Sequence, residues 1–308
     1  MTYELIIIGG GPAGAAAGVY AGRKQIKTLV LKKEWGGQSV VSPDIHNWIG
    51  TPSIAGPKLA EDLQKHVESY ASVNLAVKSE EVSNIKKVEG NFIVETKDGN
   101  TYTGKTILIT TGSNRKQLEV PGAAELEHKG LTYCASCDGL FFAGLDVVVI
   151  GAGNSAFESA LQLLAYCKSV TMLTRSENIK ADALTVEAVK KDPKAKIIFN
   201  TQTTEVVGDK KVEAIKYKDI KSGEEITLPV QGIFVEIGQV PATSFAKDVV
   251  TLDNYGRIEI DPWTQRTNVA GIWAAGDCTN VKYHQNNIAA GDGVRALEDI
   301  YTYIKSNS

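Results

Sequence analysis

One glycine pattern occurs twice in this chain, each time directly after a short apolar run. Gly9-Gly10-Gly11-Pro12-Ala13-Gly14 follows the apolar residues 3–8, and Gly151-Ala152-Gly153-Asn154-Ser155-Ala156 follows 146–150. In a G-x-G-x-x-G or G-x-G-x-x-A turn the first glycine permits the tight bend. The second lets a pyrophosphate approach the backbone, and the third lets helix pack on strand. The helix that starts there offers free amide donors and the positive end of its dipole. Residues 3–8 read as a buried strand, 13–24 as a helix of small residues, and 28–31 as the next strand. Residues 146–150, 154–165 and 169–173 repeat that order. Two βαβ units predict an α/β fold. It consists of two Rossmann-like, doubly wound domains of three-layer ββα type, each built on a parallel sheet.

A hairpin signal follows each unit. The first has residues 91–96, a turn at Lys97-Asp98-Gly99-Asn100, and residues 101–103. The second has 214–218, a turn at Lys221-Ser222-Gly223, and 225–228. Each leads to an apolar strand ending in glycine, 107–112 and 232–238. Short strands are expected at 257–260 and 271–274, then a final helix from about Gln285 with Leu297, Ile300, Tyr301 and Ile304 on its apolar face. This tail is assigned back to the first domain, so the second is an insertion. The expected division is 1–116 with 245–308 for the first domain and 117–244 for the inserted one. Lys190, Lys191 and Lys196 around Pro193 read as a solvated helix end.

A length of 308 residues suits two cores. Hydrophobic residues make up 43% and charged residues 22%, the balance of a soluble globular protein. A net charge of -3 argues against nucleic acid as a partner. The apolar run at 5–8 is too short to span a membrane. It follows Glu4 and leads into glycines, unlike a signal peptide. The expected compartment is the reducing cytoplasm, where structural disulfides are rare.

Against that background Cys134-Ala135-Ser136-Cys137-Asp138 has three readings: a metal half-site, an inert pair or a redox dithiol. Zinc would need a second ligand pair. Cys167 and Cys278 stand alone, and His46, His66, His128 and His284 show no ligand spacing, so no metal site is expected. The redox reading is favoured. A thiolate leaving group needs a proton, and the adjacent Asp138 carboxyl can carry one; an ordinary cap or turn aspartate is the plainer alternative. Cys167 and Cys278 read as core cysteines.

After the second unit's closing strand come Thr174-Arg175-Ser176, then Lys180. Arginine with a hydroxyl neighbour and a lysine suits a 2′-phosphate, which favours NADPH over NADH; a solvated Arg175 is the alternative. In the first unit Lys32 and Lys33 stand where a ribose-binding acid is common. The strand at 271–275 ends in Gly276-Asp277, whose carboxylate can accept hydrogen bonds from flavin ribityl hydroxyls or simply close a turn.

Together these motifs resemble the low-molecular-weight thioredoxin reductase family, including the flavoprotein half of bacterial peroxiredoxin reductases, over essentially the whole chain. Besides the two glycine turns, the resemblance is carried by Gly36-Gly37-Gln38, Asn47-Trp48-Ile49-Gly50, Tyr133 through Gly139, Glu158, and Gly276-Asp277-Cys278. It implies FAD at Gly9, Gly11, Pro12, Ala13 and Gly14, with Gly37, Gln38 and Asn47, with Thr111 and Gly112, and with Gly276, Asp277 and Gln285. It implies NADPH, or NADH, at Gly151, Gly153, Asn154, Ser155 and Ala156, with Arg175, Ser176 and Lys180 beside the adenosine ribose. Cys137 would face the flavin, Cys134 would attack the protein substrate, and Asp138 would be the acid. A homodimer is implied as well. The partner would be a thioredoxin-like or glutaredoxin-like protein, expected as a separate chain because no thioredoxin-like domain precedes the first glycine turn. Two departures stand out. His284 replaces the family's usual arginine before Gln285, and Ser176 and Lys180 replace two arginines of NADPH-specific members. Rival readings are a flavoprotein serving ferredoxin or a peroxiredoxin system, which could dispense with the dithiol in the first case, and a non-catalytic flavin redox sensor.

Overall fold

The computed structural model describes residues 1–42, 45–71 and 74–307. The chain divides into two compact units. Residues 1–42, 48–114 and 240–307 form unit 1; residues 115–239, with 45–47, form unit 2. Unit 1 opens with β1 (Thr2–Ile8), α1 (Pro12–Arg23), β2 (Thr28–Lys32), α2 (Gly56–Glu68), β3 (Leu75–Ser79), β4 (Val82–Val88), β5 (Asn91–Thr96) and β6 (Thr101–Ile109). The chain leaves through β7 (Ser113–Arg115). Unit 2 begins with β8 (Leu131–Thr132), α3 (Ala135–Asp138), β9 (Asp146–Ile150), α4 (Asn154–Leu164) and β10 (Ser169–Leu173). It continues with α5 (Ala183–Lys191), β11 (Ala195–Ile198), β12 (Thr201–Gly208), β13 (Val212–Asp219), β14 (Glu225–Pro229) and β15 (Gly232–Val235). The chain returns through β16 (Gln239–Pro241), which pairs with β7, and unit 1 closes with β17 (Ile272–Ala274) and α6 (Asn286–Ser306).

The sheet of unit 1 runs β3-β2-β1-β6-β5-β4, with β17 also on β6. Strand β1 is parallel to both β2 and β6 and is buried on both faces. Leu5 and Ile7 point into one core with the alanines of α1 and with Leu297, Ile300 and Ile304 of α6. Ile6 and Ile8 point into the other, with Leu29, Leu31, Ile107 and Ile109. A two-residue period with both sides apolar is what a central parallel strand requires. Each such side chain contributes roughly 2 kcal/mol by leaving water.

Two expectations change here. Residues 101–103 and 107 onward, expected as separate strands, are one continuous strand, because β1 pairs along its length from Thr2 opposite Thr103 to Ile8 opposite Ile109. Residues 257–260 form no strand. The Asp253 carboxylate accepts from the backbone amides of Tyr255 and Arg257 and from the Arg257 side chain, holding a turn where a ladder was expected. Ile258 is left with isolated bridges to Leu252 and Thr279.

Unit 2 holds a parallel sheet, β11-β10-β9-β15-β8, and a separate antiparallel sheet, β12-β13-β14. The same alternation divides its core. Val148, Ile150, Ile233 and Val235 face one side, while Val147, Val149, Val170, Met172 and Phe234 face α4 on the other. Strand β15 ends at Val235, three residues before the glycine at which the apolar run stops. Both units are Rossmann-like α/β layers. Among the described residues no helix is long and apolar enough to cross a membrane.

Candidate functional site

In unit 1 the strand ends of β1, β6 and β17 lie level, Ile8 opposite Ile109 and Ile109 opposite Ala274. Gly9 leaves β1 at φ 124°, and a Cβ there would stand 2.3 Å from the Thr110 carbonyl oxygen. A Cβ on Gly14 would stand 2.1 Å from the Gly9 oxygen. Gly11, the residue before α1, differs: a Cβ there meets nothing within 4 Å. Gly9 and Gly14 are thus required by the protein itself, whereas the space over Gly11 is left open at a helix N-terminus, where an anion fits. Pro12 at the first helical position forfeits no bonded amide.

Around that opening the structure gathers several of the expected residues. Gly37, at φ 56°, approaches the Gly11 Cα, and Gln38 donates to the Ser113 hydroxyl at 3.3 Å. Thr111 donates to the Ala242 carbonyl at 2.7 Å, and Gly112 stands beside it at φ 65°. Gly276 packs on Ala13 and Ala289, so Asp277 follows directly beside α1. Helix α6 begins after Gln285 and crosses α1 so closely that a Cβ on Gly293 would be 2.2 Å from the Ala13 oxygen. The His284 ring bonds the Val281 carbonyl at 3.1 Å. Asn47 is half-buried, in the short segment that groups with unit 2.

Sequence reading missed Asp292 on α6. It is buried, and Arg295 holds one of its oxygens at 3.0 Å. The other oxygen has no hydrogen-bond partner among the described residues. Burial pushes this carboxyl up, and the Asp277 charge adds to the effect. An orphaned buried oxygen and an opening over Gly11 both fit a polar group bound at the edge of this sheet.

The second turn repeats the geometry. Gly151 sits at φ 147°, with a Cβ position 2.3 Å from the Glu236 carbonyl oxygen, and Gly153, before α4, is open. Ala156 is fully buried against Gly151. Asn154 and Ser155 are exposed in the first turn of α4, and the Asn154 side chain accepts from the Asp182 amide at 2.8 Å. That tie, with the Lys180 amide donating to the Ala152 carbonyl at 3.0 Å, brings Lys180 to the glycine turn. Arg175 and Ser176 are exposed just after β10. The nearby Glu177 is bound by Lys221 at 2.6 Å and Asn200 at 3.0 Å.

The cysteine pair lies at the end of β8 in the same unit. Cys134 precedes α3, and its sulfur accepts from the Cys137 amide at 3.1 Å. The two residues are joined as a disulfide, with Cα atoms 5.3 Å apart, and both are half-buried. One oxygen of Asp138 accepts from the Thr132 hydroxyl; the other is buried with no hydrogen-bond partner among the described residues. Burial pushes this carboxyl up against the pull of the Thr132 bond and of the His128 and Arg115 charges. Protonation is therefore favoured at Asp138 relative to a free aspartate. Cys167 and Cys278 are buried, each pushed by burial to about 11, which leaves them neutral thiols.

Two more groups escaped the sequence reading. Arg115, on the crossing strand β7, donates to the Tyr133 carbonyl and bears on both Asp138 and Glu236. Glu236 is a lone acid in the apolar run 232–237, and that isolation was the available signal.

A family model described as pyridine nucleotide-disulphide oxidoreductase matches residues 3–293. The chain is similar to thioredoxin reductase from Giardia duodenalis (33% identity, TM-score 0.92, 99% of each chain). It is also similar to thioredoxin reductase from Streptococcus pyogenes (32%, TM-score 0.88, 99% of each). Among curated proteins it is similar to the alkyl hydroperoxide reductase F subunit (Escherichia coli, 39% identity over 98% of this chain). It is 36% identical to a protein named NADH dehydrogenase in Bacillus subtilis over 99%. The chain spans only 58% and 59% of the length of those two relatives.

Proposed function

Since the chain belongs to the pyridine nucleotide-disulphide oxidoreductase family, we propose that it is a thioredoxin reductase-like enzyme, reducing the disulfide of a thioredoxin-like or glutaredoxin-like carrier at the expense of NAD(P)H. One observation carries the reading: the Cys134–Cys137 disulfide stands beside a sheltered Asp138 carboxyl in the unit that holds the second glycine turn. The opening over Gly11, with Asp277 and Gln285 near it, fits FAD. The opening over Gly153, with Lys180 tied to its turn, fits a nicotinamide dinucleotide. When bound, the two groups supply a hydride and pass its electron pair to the disulfide.

The rest falls to the chain. Opening the disulfide through Cys137 frees the Cys134 sulfur, and Asp138 gives that sulfur its proton. With a second proton from water, two electrons leave two thiols. The Cys134 thiol then returns its proton to Asp138 and, as a thiolate, attacks one sulfur of the carrier disulfide; a mixed disulfide forms and the displaced carrier sulfur takes up a proton. Cys137 attacks Cys134, re-forms the original bond and releases the carrier as a dithiol. Leu140 and Phe141, two large apolar side chains just past the pair, are 68% and 56% exposed and offer the carrier an apolar landing surface.

Arg175, Ser176 and Lys180 support NADPH as donor. The name NADH dehydrogenase on one relative supports NADH, and the peroxide-reductase relatives support a carrier from a peroxide-reducing system. Flavin-loaded protein assayed with each nucleotide against thioredoxin-like, glutaredoxin-like and ferredoxin acceptors decides among them. Nucleotide-dependent reduction of a thioredoxin-like disulfide, lost in Cys134→Ser, is expected. Turnover that survives Cys137→Ser overturns the dithiol route. We also read the molecule as a homodimer, which sedimentation tests.

A further inference from the structure

Glu236 has no place in the route above, yet its position is unusual for an acid. Strands β9 and β15 end together, Val235 opposite Ile150, and the Glu236 amide donates to the Ile150 carbonyl at 2.8 Å. The next residue along β9 is Gly151, whose missing Cβ makes room for the Glu236 carbonyl. The Glu236 backbone is therefore one wall of the glycine turn. Its side chain reaches α4, where the buried Ser159 hydroxyl donates to one carboxyl oxygen at 2.8 Å. The carboxyl thus stands against the helix whose N-terminus opens over Gly153.

We propose that Glu236 is a positioning residue of the second glycine turn, and that its neutral form is the one that admits a dinucleotide pyrophosphate. The inference rests on the reading that this turn takes NAD(P)H. An ionised carboxylate beside the glycine turn puts a negative charge near the place an incoming pyrophosphate takes and repels it through a low-dielectric interior, whereas a neutral carboxyl does not. Among the described residues, the charged groups bearing on Glu236 are Arg115 on β7, which favours the anion, and Glu158 on α4, which disfavours it. Burial outweighs Arg115 and the Ser159 bond, and the carboxyl is pushed up to about 7. Near neutral pH the group is thus divided between its two forms.

The sign follows by linkage. If the bound anion favours the neutral form, binding takes up protons and weakens as pH rises through about 7. A rise of about one unit on binding corresponds to an affinity loss of about eightfold from pH 6 to pH 9, with uptake of about 0.4 proton at pH 7. The test is calorimetric titration of the flavin-loaded protein with NAD+ and NADP+, in buffers of different ionisation enthalpy. Subtracting Glu236→Gln from the wild type removes protons that belong to the nucleotide or to other residues. Glu236→Gln should bind with a flat profile at the wild-type low-pH affinity and lose that uptake. Ser159→Ala, which removes a bond favouring the anion, should move the midpoint to higher pH. A wild-type profile without slope, or the same slope and uptake in Glu236→Gln, overturns the proposal while leaving nucleotide binding intact. Failure of both nucleotides to bind at every pH overturns the reading of the turn and the proposal with it.

Discussion

Asp138 and Glu236 are two acids of one unit whose neutral forms are favoured by the same cause, loss of water, and whose expected uses differ. On the proposed route the proton of Asp138 is a reagent. Disulfide opening should slow as pH rises through its elevated range. Asp138→Asn should flatten that profile and lower the rate roughly 100-fold, the usual loss on removing a general acid. Rapid-quench trapping of the Cys134 thiol reads both effects. At Glu236 the proton also bears on stability. The carboxyl titrates near 4.5 when unfolded and at about 7 in the fold, so the folded state holds the proton more tightly. The penalty is absent below about 4.5, grows between the two values, and is complete above about 7. Glu236→Gln keeps an acceptor for Ser159 and should therefore stabilise the protein by up to roughly 3 kcal/mol near pH 8, and hardly at pH 4. Urea unfolding at the two pH values checks it; equal shifts at both would show that the carboxyl pays no ionisation cost. Neither Glu236 nor Arg115 carried a motif. What makes them unusual is the level ending of β9 and β15 and the passage of a crossing strand, which no local spacing encodes.

At the scale of the element, the two glycine turns separate structural need from ligand need. Gly9, Gly14 and Gly151 face backbone oxygens at 2.1 to 2.3 Å from a would-be Cβ, while Gly11 and Gly153 face open space. Gly151→Ala should destabilise unit 2 by more than about 2 kcal/mol, since it combines a positive φ with backbone overlap. Gly153→Ala should change stability by less than about 0.5 kcal/mol and weaken dinucleotide binding at least tenfold; Gly11→Ala should do the same to flavin retention. Thermal unfolding beside equilibrium binding separates the two classes. Unaltered binding in Gly153→Ala would mean that nothing approaches that backbone. These turns were legible because a G-x-G-x-x-G pattern states a local steric demand between a strand and a helix. The antiparallel strand β12 was not, since register shifts interrupt its alternation, and neither was α2, which carries no glycine fingerprint; of α5 only the end, at Lys190 and Lys191, was read. The expected strand at 257–260 failed for a local reason, a turn in which Asp253 binds the Tyr255 and Arg257 amides just where the strand was to begin.

At the scale of the whole molecule, what matters is that the chain builds two separate interiors. Leu5, Ile7, Leu108 and Trp273 pack with α1 and α6 in unit 1, and Val147, Val149 and Phe234 pack with α4 in unit 2. The tail from 245 onward was assigned to the first domain because a strand and helix need a sheet to cover, and in the structure β17 pairs with β6 while Leu297, Ile300 and Ile304 of α6 share a core with α1. Each unit also has its own opening, over Gly11 or over Gly153, so ligands should act on the two interiors separately. A nucleotide present at about 100 times its dissociation constant adds roughly 2.7 kcal/mol to the state that binds it. If the openings are assigned correctly, nicotinamide dinucleotide should raise the unfolding temperature of the transition belonging to unit 2 and leave that of unit 1 in place. Loss of flavin should do the reverse, lowering unit 1 alone. Calorimetry can assign each transition with Gly151→Ala, which shifts only unit 2. A nucleotide that moved both transitions equally would mean that the two interiors unfold as one, and a nucleotide that moved only the flavin-sensitive transition would reverse the assignment of the two glycine turns.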